Sequence, residues 1–146
     1  MAKWVYFAVF FISSLCIAVI DFRTKKIPNI LLIVLVGILF CIDLLLEIGV
    51  IPYKALAALG AYILFYTVYR FKGGLGYGDV KYAGVIGYFL GHWYVLSGLL
   101  CAVLFGLGYW FIGNLIFRWG KAYKFSFGPF LSCGAIVVAL FRMRVS

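Results

Sequence analysis

Acidic residues are scarce in this chain: its 146 residues hold four Asp plus Glu against thirteen Lys plus Arg. Charged residues of both signs make up only 12%, where an ordinary soluble domain carries roughly 25%, and this excludes a soluble globular protein. There is one histidine, and the four cysteines, Cys16, Cys41, Cys101 and Cys133, each stand alone in an apolar stretch without a C-x-x-C pair. Neither a zinc site nor a disulfide framework is suggested, and no metal or cofactor is expected. The cysteines read as buried small apolar residues. No internal repeat, low-complexity linker or long polar stretch is present, which leaves no room for a separate aqueous domain.

What the chain does contain is apolar. Hydrophobic residues account for 67%, aromatics for 21%, and the mean hydropathy is +1.16. Because a spanning helix needs about 20 mostly apolar residues, the runs at about 4–20, 30–51, 55–71, 80–91, 93–117 and 125–141 read as six membrane segments. The expectation is an all-α polytopic bundle, with residues 1–146 forming one integral membrane domain. The first run is followed by Asp21-Phe22-Arg23-Thr24-Lys25-Lys26, which has no small-residue cleavage pattern, so it is read as a retained helix rather than a signal peptide.

The net charge of +9 belongs mostly to the connections. It therefore reads as a topology signal and not as a nucleic-acid footprint. Arg23, Lys25 and Lys26, then Arg70, Lys72 and Lys81, then Arg118, Lys121 and Lys124 share one side, predicted to be cytoplasmic. Lys3, Lys54, Arg142 and Arg144 fall on the other, with both termini.

Segment four is short, since twelve residues rise only about 18 Å against a hydrocarbon core of about 30 Å. A break near Gly91-His92-Trp93 must separate it from segment five. The run Gly73-Gly74-Leu75-Gly76-Tyr77-Gly78 before it has to approach the membrane, which needs protein or water over its backbone. Its glycines would permit close approach and unusual dihedrals. Ala83, Gly87 and Gly91, and again Gly98, Ala102 and Gly106, recur at the spacing that lets helices pack closely in lipid.

Ionisable groups in a membrane are costly, so each carboxylate is weighed. Asp21 ends segment one and Asp79 begins segment four, both at the basic side, and the two can meet at one depth. Alone, Asp79 could be a helix N-cap and Asp21 an interfacial charge paired with Arg23 or Lys25. Together they can share a proton and serve as general base and general acid on one water and one amide, with Lys81, Arg23, Lys25 and Lys26 opposing the upward shift this causes. Asp43 and Glu47, near the other side, read as surface residues, and His92, beside Trp93 and Tyr94, as an interfacial anchor.

The stretch Ala18-Val19-Ile20-Asp21-Phe22-Arg23-Thr24-Lys25-Lys26-Ile27-Pro28-Asn29 resembles the first signature of the type IV prepilin peptidases. Lys72-Gly73-Gly74-Leu75-Gly76-Tyr77-Gly78-Asp79 resembles their second, built on G-x-G-D, and Phe127-Gly128-Pro129-Phe130 looks like their third block. The resemblance implies a membrane aspartyl endopeptidase with Asp21 and Asp79 as catalytic pair, cutting the leader from prepilin or pseudopilin precursors after a glycine at the cytoplasmic face of the inner membrane. It further implies that Pro28 starts segment two with Asn29 just inside it, that Gly76 and Gly78 let the loop place Asp79, and that Lys81 meets a substrate carboxylate or anchors the cytoplasmic edge. Relatives that also N-methylate the product carry an additional cytoplasmic domain, so this chain resembles the short, peptidase-only form. Presenilin-like proteases share G-x-G-D but place Tyr before the first aspartate, where Ile20 stands here.

Two other classes compete with this reading. A small secondary transporter would bind a proton or cation at the same aspartates, although its site would lie near the midplane. A structural component of a secretion machine would need neither aspartate. The pilin cut and the oligomeric state are not encoded in any motif.

Overall fold

In lipid, a segment must satisfy every backbone N–H and C=O internally, so long apolar runs become helices. The computed structural model describes residues 1–72, 75–118 and 126–145, which form α1 (Ala2–Thr24), α2 (Asn29–Leu46), α3 (Ile51–Lys72), α4 (Tyr77–Leu90), α5 (Val95–Ile116) and α6 (Gly128–Val145), with a 3-10 turn at Ile48–Val50 between α2 and α3. Gly73, Gly74, Lys121 and Lys124, singled out above, lie outside the described residues. Five of the helices are long and apolar enough to cross a membrane. The fourth has 14 residues, which gives about 21 Å. It starts at Tyr77, three residues before the apolar run, so that Gly78 and Asp79 are helical.

Several boundaries have clear local causes. Pro28 is the extended N-cap of α2 (φ −70°, ψ 125°), leaving Asn29 as the first helical residue, and Lys25 closes α1 in the left-handed region at φ 55°. The break between α4 and α5 falls at Gly91, whose φ of 76° ends the helix where only glycine is comfortable.

The short helix is the centre of the bundle. From 79 to 90 every α4 residue except Lys81 and Gly84 is buried, and α4 packs against α2, α3, α5 and α6. Toward α1 it presents Phe89, stacked on Phe10 at 3.6 Å between ring centroids and on Tyr6 at 5.5 Å. The small residues act in packing. A Cβ on Gly87 would lie 2.7 Å from the carbonyl oxygen of Ala57 on α3, and one on Gly134 of α6 would lie 2.6 Å from that of Gly98 on α5.

The outward faces carry large apolar residues such as Phe22, Ile33, Leu45 and Leu115, as a bundle facing lipid requires. Cys16, Cys41 and Cys133 are on this exterior and Cys101 is half-buried, which corrects the expectation that they are buried. A small apolar side chain gains nothing by leaving lipid for protein, so composition alone does not place it inside.

Asp43 also departs from expectation. It is buried rather than on the surface, because Lys54 Nζ reaches its Oδ1 at 2.7 Å and Tyr6 donates to its Oδ2 at 3.3 Å. Lys54 also donates to the Tyr6 hydroxyl at 3.1 Å and stands over the Tyr6 ring, so the pair is compensated by hydrogen bonds as a buried ion pair must be. Glu47 is exposed. At the same end, His92 is exposed and its ring lies against Trp93 and Tyr53, and Arg142 donates to the Leu90 carbonyl at 3.2 Å.

Candidate active site

At the opposite end, the last turn of α1, the start of α4 and the start of α6 converge. Asp21 and Asp79 are both buried there, with 4% and 8% of their surface exposed. Asp21 projects from α1 toward the approach to α6. Its Oδ2 accepts a hydrogen bond from Ser126 Oγ at 2.6 Å and a second from the Gly128 amide at 2.9 Å, and the Ser126 hydroxyl also lies 3.1 Å from the Asp21 carbonyl oxygen.

Asp79 is the third residue of α4. Its Oδ2 accepts the Gly76 N–H at 3.3 Å, while its own N–H donates to the Gly76 carbonyl at 3.1 Å. The carboxyl thus caps its helix in the manner expected of an acidic residue in the first turn. Asp79 lies outside the five spanning helices. Burial, and after it the nearby charge of Asp21, push its pKa up to about 7, opposed by the Gly76 N–H. At neutral pH a carboxyl so placed is protonated for much of the time, in contrast to a solvated aspartate.

Gly76 and Gly78 serve space rather than dihedral freedom. Gly76 has an ordinary extended backbone (φ −74°, ψ 145°), which corrects the expectation of unusual dihedrals at this position. A Cβ there would lie 3.3 Å from Asp79 Oδ2, and a Cβ on Gly78 would lie 3.2 Å from the Cβ of Ile27. Ile27 belongs to the α1–α2 connection, so Gly78 lets the start of α4 close against the segment that follows Asp21. The preceding residue, Tyr77, is tied to α3 through its hydroxyl, 2.8 Å from that of Tyr62.

Lys81 is engaged by Asn29 and Tyr77. Its Nζ donates to Asn29 Oδ1 at 3.2 Å and stands 4.7 Å from the Tyr77 ring centroid. The pair sits at one end of a groove of about 420 Å³ between α2 and α4, lined by Asn29, Leu32, Ile33, Val36, Lys81 and Val85. Of the residues singled out from sequence, then, Asp21 and Asp79 are both buried at this end with the Asp21 charge acting on Asp79, Gly76 packs at Asp79 and Gly78 against Ile27, and Lys81 and Asn29 form a separate pair with Pro28 capping α2. Sequence reasoning missed Ser126 and the amide of Gly128. The Phe127-Gly128-Pro129-Phe130 block was the available signal. Among the described residues no cluster of three or more His, Cys, Asp or Glu could hold a metal ion.

Comparison with known proteins agrees with the motifs. The chain is 32% identical over 135 residues to a prepilin leader peptidase/N-methyltransferase of Escherichia coli K12, covering 88% of this chain and 60% of that protein. It is 34% identical over 137 residues to a protein of the same description from Bacillus subtilis 168, covering 92% of this chain and 55% of that one. It thus spans little more than half the length of these relatives. No solved structure matches it. Residues 8–111 match the type IV leader peptidase family, a stretch that contains both aspartates, and the chain belongs to that family.

Proposed function

We propose that this protein is a membrane aspartyl endopeptidase that removes the leader from prepilin or pseudopilin precursors, using Asp21 and Asp79 as its catalytic pair. The observation that carries the reading is the unlike setting of the two buried carboxyls: Asp21 holds two donors on one oxygen, whereas Asp79 is shifted toward its neutral form. Two carboxyls whose surroundings separate their roles are the requirement for acid–base chemistry at neutral pH. Asp21 takes a proton from water as the water oxygen bonds to the scissile carbonyl carbon, and Asp79 gives its proton to the carbonyl oxygen. Asp79 then recovers a proton from the resulting diol while Asp21 passes its own to the leaving nitrogen, and the C–N bond breaks.

The basic connections favour a cytoplasmic location for this end of the bundle in the inner membrane. The substrate's apolar segment lies along the groove between α2 and α4, with Lys81 and Asn29 meeting polar groups of the chain at its entrance. Incubating the purified protein with a prepilin-type precursor and sequencing the new N-terminus tests the reading. Cleavage after a glycine ahead of the apolar segment is expected, abolished by Asp21→Asn and by Asp79→Asn. Near-normal cleavage with either variant would overturn it.

A further inference from the structure

Beneath the two aspartates lies a second polar layer. The Tyr82 hydroxyl is 2.6 Å from Ser132 Oγ, and Ser132 Oγ donates to the Ser14 carbonyl at 3.3 Å. Either hydroxyl can donate in the Tyr82–Ser132 bond, and the contacts link Tyr82 to Ser132 and Ser132 to the Ser14 carbonyl. Tyr82 and Ser14 are wholly buried and Ser132 is 2% exposed. Each member stands on a helix that contributes to the carboxyl pair. Tyr82 follows Asp79 by one turn on α4, Ser132 follows Gly128 by one turn on α6, and Ser14 precedes Asp21 by two turns on α1.

Apolar side chains would close three helices equally well, because in lipid packing is driven by fit. Hydroxyl bonds add a fixed direction and length, and a buried hydroxyl that loses its partner is penalised, so this layer admits one register of the three helices. We propose that Tyr82 and Ser132 are positioning residues that set the separation of Asp79 from Asp21 by locking α4 to α6 and α1. The inference rests on the peptidase reading above. The groups acting on Asp79 itself are the Asp21 carboxyl of α1 and the Gly76 N–H, while Lys81 on α4 is engaged by Asn29 of α2.

The test is the kinetics and pH profile of Tyr82→Phe, Ser132→Ala and the double variant on a prepilin-type precursor, with Tyr88→Phe as control. Tyr88 also carries a buried hydroxyl on α4, but at the far end of the helix, beside the Asp43–Lys54 pair and away from the two carboxyls. Tyr82→Phe and Ser132→Ala should each lower kcat about tenfold or more, since misplacement of reacting groups by a fraction of an ångström is enough. KM should stay within about twofold, and the alkaline limb should move down by about half a pH unit as the two carboxyls separate. The double variant should be no worse than the stronger single, and Tyr88→Phe should match the parent. Ser132→Ala removes little volume and carries the test if Tyr82→Phe does not fold. Parental kcat and pH profile in both hydroxyl variants, with Asp21→Asn and Asp79→Asn inactive, would overturn the positioning role alone. Equal effects from Tyr82→Phe and Tyr88→Phe would reduce it to general packing and overturn it as well. Cleavage by the aspartate variants would instead overturn the peptidase reading.

Discussion

The backbone amide of Gly128 donates to Oδ2 of Asp21 at 2.9 Å, and the side of Gly128 where a Cβ would stand is occupied by that same carboxyl. Any side chain at 128 must therefore displace Asp21. Gly128→Ala is expected to reduce cleavage by about a hundredfold, as misplaced catalytic groups do, with the protein still inserted and folded. Gly134→Ala, which would meet the α5 backbone away from the aspartates, should lower the melting temperature by overpacking, at about 1–3 kcal/mol. Cleavage assays and thermal melts in detergent separate the two.

Ser126 supplies the other donor to Asp21. A hydrogen bond to a charged group is worth about 1.5–3 kcal/mol, so Ser126→Ala should slow cleavage roughly ten- to a hundredfold, and Ser126→Thr should restore much of the rate. A rate unchanged in Ser126→Ala would leave the Gly128 amide as the sufficient support of Asp21.

The pH dependence follows from Asp79, whose pKa is raised from 3.8 to about 7. Activity should fall on the alkaline side as Asp79 loses its proton, and the two limbs of the kcat/KM profile belong to the pair rather than to either residue. Stability has a definite sign as well. Between 3.8 and about 7 the unfolded chain ionises at Asp79 while the folded chain does not, so this group's contribution declines as pH rises and levels off above that range. Asp79→Asn removes a penalty of no more than about 4 kcal/mol. The inactive variant should therefore melt higher than the parent at pH 8 and show little difference at pH 4.

At the other end, Lys54 and Asp43 form a buried pair. Removing one partner strands the other, at about 3–5 kcal/mol, whereas removing both is far milder. Lys54→Met and Asp43→Leu should each lower the melting temperature sharply, and the double variant Asp43→Leu/Lys54→Met should recover most of the loss. Additive losses would show that the pair is not coupled.

Orientation is tested with single cysteines in a chain lacking Cys16, Cys41, Cys101 and Cys133. Lys25→Cys should be shielded from an impermeant thiol reagent in intact cells and Glu47→Cys labelled. Glu47 is exposed and makes the better outer reporter, because Lys54 is committed to Asp43. Strong labelling at position 25 would invert the topology.

Most of the helices could be read from the sequence because lipid imposes one rule on every apolar run, and the break at Gly91 because two helices in line would have exceeded the membrane. That Asp21 and Asp79 share one end follows from their places at the end of one run and the start of another. Ser126 was hidden for the opposite reason: its partner lies 105 residues away, and a serine after a basic connection carries no periodic signal. The burial of Asp43 was misjudged because Glu47, four residues on, looked like its partner in exposure, whereas the relevant neighbour was Lys54 across the turn. The spacing of Gly76 and Gly78 was legible, but the cause, room for the Asp79 carboxyl and for Ile27, depends on the tertiary contact.

The shortness of α4 also bears on how the protein matures in the membrane. A 14-residue helix cannot hold itself across a bilayer, and its place is defined by the neighbours that sheathe it. During biosynthesis the segment carrying Asp79 is made before α5 and α6, so it has no complete cradle until the last helix has entered and brought Ser126 and Gly128 to Asp21. A nascent or truncated chain accordingly carries both carboxyls without their finished surroundings. On the peptidase reading, hydrolytic competence therefore depends on α6 having entered and brought its donors to Asp21.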